Sequence, residues 1–318
     1  MRQLTEDLKT AGRALGFDLV GVAEAAPAYG VERLRAWLDA GRQGAMAFMG
    51  RTASLRGDPR HLLPGCRSVV AVAVSYRSAL PASTSHPDDD RVWVSRYAWG
   101  RDYHRLLKGR LVELGRWLGN RVPGCRWRTT VDTAPILERE WAARAGLGWI
   151  GKSTSLLNRR LGSELFLGTL LTDQQLLPDD PVPVHCGRCT ACLDACPSQA
   201  LVAPGQLDAR RCVAYLTVEH PGEVPGELRR AVGAMIAGCD VCQEVCPWTR
   251  RAPADIHPDL QPTPHRYRPR LADLERLAED EYRSWRRGSP LNRIPYVRFR
   301  RNLALARENM TGRYGSQP

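Results

Sequence analysis

The spacing of the cysteines constrains this chain more than any other feature. Cys186-x2-Cys189-x2-Cys192-x3-Cys196 is followed by Pro197, and Cys239-x2-Cys242-x3-Cys246 by Pro247. In the bacterial version of the first run, three closely spaced thiolates hold one four-iron four-sulfur (4Fe-4S) cuboid and the fourth crosses to a second cuboid. By that rule Cys246 completes a cluster with Cys186, Cys189 and Cys192. Cys196 then joins Cys239 and Cys242, and Cys212 is the only cysteine nearby that can supply their fourth ligand. Zinc ribbons use separated CxxC pairs, so three cysteines within seven residues favour two 4Fe-4S clusters over two zinc ions. Cys66 and Cys125 stand apart and read as small buried hydrophobes.

Ten cysteines used in this way suit a reducing compartment. The first ten residues are charged and lack an apolar signal-peptide core, and no run of about 18 apolar residues occurs. A soluble cytoplasmic protein with no membrane contact, and a monomer, is the expectation. With 318 residues, 43% of them apolar, the chain can bury a sizeable core. The net charge of +12 is carried almost wholly by arginine, the only lysines being Lys9, Lys108 and Lys152. Arginine forms bidentate bonds with phosphate, so a polyanionic partner fits.

Leu4, Leu8, Ala11 and Leu15 recur at helical spacing, and Phe17 to Val22 reads as a strand after the Gly16 stop. Strands are predicted at Ser68 to Ser75, Trp127 to Val131 and Glu164 to Leu171. Leu106, Leu107, Leu111, Leu114 and Leu118 line one face of a helix. The fold class is therefore α+β. A mixed α/β unit spans residues 1–178, a proline-rich break follows, a ferredoxin-like two-cluster domain spans 179–250, and a short basic helical segment spans 251–318. From Arg283 onward nine arginines face one acid, Glu308, among Trp285, Tyr296 and Phe299.

Gly146 to Ser153 fits the P-loop pattern G-x-x-x-x-G-K-S, but a P-loop follows a buried strand and Ile136 to Ala145 reads as a helix. Nucleotide binding is rejected on that ground. The glycine-rich turn can still bring backbone amides against another ligand.

Four motifs in order carry a family resemblance: Tyr97-Ala98-Trp99-Gly100-Arg101-Asp102-Tyr103-His104, then Val131-Asp132-Thr133-Ala134-Pro135, then Gly148 to Ser153, then the cysteine runs. Together they resemble epoxyqueuosine reductase, over about residues 1–310. The resemblance implies an N-terminal cobalamin-binding catalytic domain, a corrin held against the cluster domain, and an electron donor of unknown identity. The implied reaction reduces epoxyqueuosine to queuosine at the tRNA wobble position, the oxygen leaving as water. It makes Asp132 the proton donor, with desolvation raising its pKa so that it stays protonated. Without the resemblance, Asp132 reads as a helix cap. Arg56, Ser95, Asp132 and Leu156 are the implied corrin contacts, with Tyr97 and Ser153 as neighbours. Several relatives continue into a longer C-terminal helical-repeat extension, so the arginine- and aromatic-rich tail is expected to meet phosphates and unstacked bases. The alternatives are a related cobalamin iron-sulfur reductase of the dehalogenase kind acting on a small molecule, and a simple electron carrier.

Overall fold

The computed structural model describes residues 1–82, 90–254 and 257–312. Strands β1 (Leu19–Glu24), β2 (Ser68–Ser75), β3 (Trp93–Val94), β4 (Trp127–Thr130), β5 (Trp149–Ile150), β6 (Leu156–Leu157) and β7 (Leu165–Thr172) belong to the first half of the chain. Four of them form one sheet in the order β1-β2-β7-β4, every neighbour antiparallel. The strands predicted from apolar runs are all there, the first displaced by about two residues, a usual boundary error.

Strand β2 is buried along its whole length, because both faces of the sheet are covered. Alternation then sorts its side chains. Val70, Val72 and Val74 point into a core shared with Leu8 of the helix Arg2–Ala14 and with Leu107, Leu111, Leu114 and Leu118 of the helix Tyr103–Arg121. Val69, Ala71 and Ala73 face the opposite core, with Trp141 and Ala142 of the helix Glu138–Arg144. Cys66 is buried in this second core and Cys125 packs on the first, as small apolar residues do.

The proline-rich stretch after β7 is pinned to the sheet unit. Asp179 accepts from Lys9 Nζ at 2.6 Å and from the backbone N–H of Val22 at 2.8 Å. Beyond it the elements are short. Strands β8 (Leu201–Ala203) and β9 (Gln206–Leu207) make a small hairpin, and β10 (Met235–Ala237) pairs in parallel with β3, tying residues 93–94 to the cysteine-rich half.

The C-terminal helix Tyr296–Met310 differs from what its composition suggests. Phe299 is 2% exposed and stacks on Tyr282 at 4.0 Å. The hydroxyl of Tyr296 donates to the carbonyl of Leu277, and the indole N–H of Trp285 to that of His265. These aromatics form a core instead of a platform for bases. Three neighbouring arginines are tied to backbone carbonyls. Arg301 donates to the carbonyls of Leu216, His220 and Gly222, Arg298 to that of Val218, and Arg300 to that of Glu275. Arg313, the last of the basic tail, lies outside the described residues. No helix among the described residues is long and apolar enough to cross a membrane.

Candidate active site

The seven cysteines of the two runs and Cys212 lie within electrostatic reach of one another as two adjoining sets. Burial raises the Cys192 thiol, and the charges of Cys246, Cys186 and Cys189 add to the effect. In the other set burial pushes Cys242 up to about 12, with Cys212 and Cys196 contributing, and burial also raises Cys212 and Cys239. Cys192 acts on Cys242 as well, so the two sets are neighbours. Among the described residues, no three His, Cys, Asp or Glu side chains converge closely enough for a single ion.

The glycine-rich turn serves the first set. It is the hairpin β5-β6, and a Cβ on Gly148 would fall 2.0 Å from the carbonyl oxygen of Leu157. Lys152 Nζ donates to the carbonyls of Gly187 and Cys189, at 2.7 and 2.9 Å, and so holds the cysteine loop. The indole of Trp149 donates to Cys186 Sγ at 3.5 Å, and the Ala200 N–H to Cys196 Sγ at 3.2 Å. Donors aimed at sulfur favour thiolate.

Asp132 sits just past β4 with φ 50°, a left-handed conformation that aspartate tolerates better than most residues. Its backbone N–H donates to Glu138 Oε1 at 2.7 Å. The helix that follows begins at Glu138, with Leu137 at its N-cap and no capping side chain, so Asp132 is not that cap. Its Oδ2 lies 3.0 Å from His104 Nε2 and 4.0 Å from Arg293 Nη1. Desolvation works to raise the Asp132 carboxyl, but the His104 bond, then the His104 and Arg293 charges, hold it below the usual carboxylate range. The expectation that desolvation keeps Asp132 protonated is therefore corrected. Glu138 has that property instead: desolvation, then the Asp132 charge, pushes it up to about 8.

Arg56, 7% exposed, donates Nε to Thr52 Oγ1 and Nη1 to the carbonyl of Ile136, and it feels the charges of Glu138 and Asp132. Tyr97 is also near, feeling Asp240 and Asp132. Ser153 lies in the β5-β6 turn, one residue from Thr154, whose carbonyl accepts from Arg139. Arg139 in turn feels Glu138, Asp132 and Cys242. Two of the named residues are committed elsewhere. The Ser95 hydroxyl donates to Asp240 Oδ1 at 2.5 Å, and the Leu156 side chain is buried in the second core.

His104, Glu138, Arg139 and Arg293 were not singled out in the sequence. His104 lies inside a quoted motif, which was the available signal. Arg293 comes from the turn Pro290–Arg293 and carried none.

A double set of half-buried cysteines beside an Asp-His-Arg site is the arrangement of a redox protein with its own chemistry. The family description "Epoxyqueuosine reductase QueG, DUF1730" matches residues 56–133, and "4Fe-4S double cluster binding domain" matches residues 185–249. The epoxyqueuosine reductase of Escherichia coli K12 is 42% identical over 97% of this chain and 82% of its own length. That of Pseudomonas aeruginosa is 43% identical over 96% and 86%. A crystal structure of epoxyqueuosine reductase with an epoxyqueuosine-modified tRNA-Tyr stem loop superimposes with a TM-score of 0.88 at 31% identity, covering 97% of this chain and 82% of that one. The chain belongs to the epoxyqueuosine reductase family, and it is an oxidoreductase of the mixed α/β class expected for it.

Proposed function

We propose that this chain reduces epoxyqueuosine in the tRNA anticodon, with two 4Fe-4S clusters and cobalamin as its cofactors and tRNA as its polyanionic partner. The observation that carries this is the position of Asp132, linked through Arg139 to Cys242 of the buried thiolate set. Cys186, Cys189, Cys192 and Cys246 would hold one cluster, and Cys196, Cys212, Cys239 and Cys242 the other. Sulfur-directed N–H groups and the lysine-clamped loop fit that assignment.

For cobalamin the fit rests on Arg56, Asp132, Tyr97 and Ser153. Arg56 Nη2, Asp132 Oδ1 and the Ser153 hydroxyl have no partner among the described residues, giving donors and an acceptor of the kind that amide-rimmed corrins take up. Ser95 and Leu156 would contribute only through their neighbours or backbone. The chemistry supplied by the bound cofactors is two reducing equivalents delivered beside Asp132. Asp132 delivers a proton to the departing oxygen, Arg139 sets the charge between that acid and Cys242, and Arg293 limits how far Asp132 can swing. A structure of the Bacillus subtilis epoxyqueuosine reductase, at 30% identity and TM-score 0.87, is described with an aspartate catalytic loop swung out of the active site, which supports giving Asp132 this role.

Anaerobic protein reconstituted with cobalamin should deoxygenate epoxyqueuosine in tRNA and carry about eight iron atoms per chain. In Asp132→Asn, which retains shape but has no carboxylic proton, single-turnover rate should fall by about 10²- to 10⁴-fold with iron and corrinoid unchanged. A wild-type rate in that variant would sink the assignment of Asp132. Turnover that is indifferent to added corrinoid would remove cobalamin.

A further inference from the structure

Asp102, His104 and Asp132 form an unbroken line of side chains. His104 Nδ1 lies 2.7 Å from Asp102 Oδ1, and its Nε2 lies 3.0 Å from Asp132 Oδ2. Both ends of the imidazole therefore meet carboxylates. The ring is held in place: it stacks on Tyr103 at 4.0 Å, and Tyr103 stacks on Phe166 at 4.0 Å and 6°. Asp102 is held as well, because it caps the helix Tyr103–Arg121 by accepting the His104 backbone N–H at 3.1 Å. Capping requires only that backbone bond, and explains neither the imidazole nor the second carboxylate. An imidazole oriented by one carboxylate and presenting its far N–H to a reacting group is the geometry by which hydrolytic triads control a proton.

Resting on the assignment of Asp132 above, we propose that His104 is the positioning residue that reloads Asp132 with the proton it delivers to the epoxide oxygen. Removing the oxygen as water takes two electrons from the cofactors and two protons, so Asp132 must be loaded twice: it delivers the first proton, is reloaded through His104, and delivers the second. The Asp132 O–H bond breaks as the new O–H bond to the departing oxygen forms. The resulting carboxylate takes the Nε2 proton of the His104 imidazolium, which leaves neutral His104 with its Nδ1–H on Asp102. Solvent then returns a proton to Nε2. No electron moves in these steps.

The groups facing this line come from five elements, Arg56 at the end of the helix Ala53–Arg56 and Tyr97 of the turn Arg96–Ala98 among them. Asp102 and Arg105 lie at the start of its own helix, Glu138 and Arg139 on the helix after the Asp132 turn, and Arg293 on the C-terminal side. Burial alone lowers the His104 imidazolium, but the bonds to Asp102 and Asp132 outweigh it and lift it to about 9. Between turnovers the proton of the His104-Asp132 pair therefore rests on the ring, and Asp132 carries it only as the developing charge on the departing oxygen draws it from Nε2 through the carboxyl.

The test uses the reconstituted holoenzyme and single turnovers across pH. His104→Gln keeps an amide N–H directed at Asp132 but cannot ionise. Its rate should fall at least about tenfold at about pH 8 and much less at about pH 5.5, where solvent can protonate Asp132 directly. The alkaline limb set near 9 in the wild type should move down. A wild-type rate and an unmoved limb would overturn the proposal. In parallel, the His104 ring is followed by NMR: a midpoint near 9 that drops toward the ordinary histidine value in Asp132→Asn supports it, and an ordinary midpoint in the wild type overturns it even if His104→Gln fails to fold. An active Asp132→Asn variant would instead topple the assignment of Asp132 itself, a result distinct from a silent His104→Gln.

Discussion

The sheet-bearing half and the cysteine-bearing half are held together by opposite means. In the first, long antiparallel ladders satisfy the backbone, and alternation along β2 divides its side chains between two apolar layers. In the second, strands run two or three residues, and many carbonyls have no ladder partner. Side chains satisfy them instead. Lys152 holds Gly187 and Cys189, Arg301 holds three carbonyls, and Asn302, 1% exposed, donates to Thr217 and Ile236. A module built around thiolate clusters follows the geometry of its ligands more than backbone periodicity, so long cations close the gaps that secondary structure leaves. The positive charge of this half is in good part structural.

This contrast can be broken most sharply at Cys212. Cys212→Ala should abolish turnover and remove about half of the eight irons expected of two cuboids, while the far-UV signal of the sheet half persists. Retention of all the iron would show that another group completes the set. A smaller but still large effect is expected from Leu111→Ala, at a fully buried position in the first core. It should cost about 2–5 kcal/mol in denaturant unfolding of the sheet half and leave iron content alone. Parallel loss of iron would mean that the halves do not unfold separately.

Arg301→Ala should cost about 1–3 kcal/mol, because the carbonyls of Leu216, His220 and Gly222 lose their donor. The salt dependence of tRNA binding should change little beyond the loss of one charge. A steep fall in that dependence with stability intact would return Arg301 to the RNA surface. The smallest effect is expected from Lys152→Met, which retains the stem but not the ammonium. It should loosen the loop at Cys189, the one exposed cysteine of the eight, and speed iron loss to a chelator from the Cys189 set before the other. Equal rates of loss from both sets would erase the distinction.

Much of this was legible in the sequence because it is local. Cysteine spacing marks the double-cluster region, since ligands three residues apart converge whatever surrounds them. Apolar runs placed β2 and β7, and leucine spacing placed the helix Tyr103–Arg121, because burial on one or two faces dictates those periods. The aromatic tail misled because composition reports polarity and not direction: Phe299 and Tyr296 look the same in sequence whether they face a base or Tyr282.

Asp132 could be singled out by its motif, but its protonation could not. Whether its carboxyl is raised or lowered depends on His104, 28 residues away at the start of a helix, and on Arg293 from the C-terminal segment. Spacing along the chain located the cysteine module and the strands, and a motif pointed to Asp132. Packing between elements decided which charges face that acid, because electrostatic coupling falls with distance in space and takes no account of distance along the sequence.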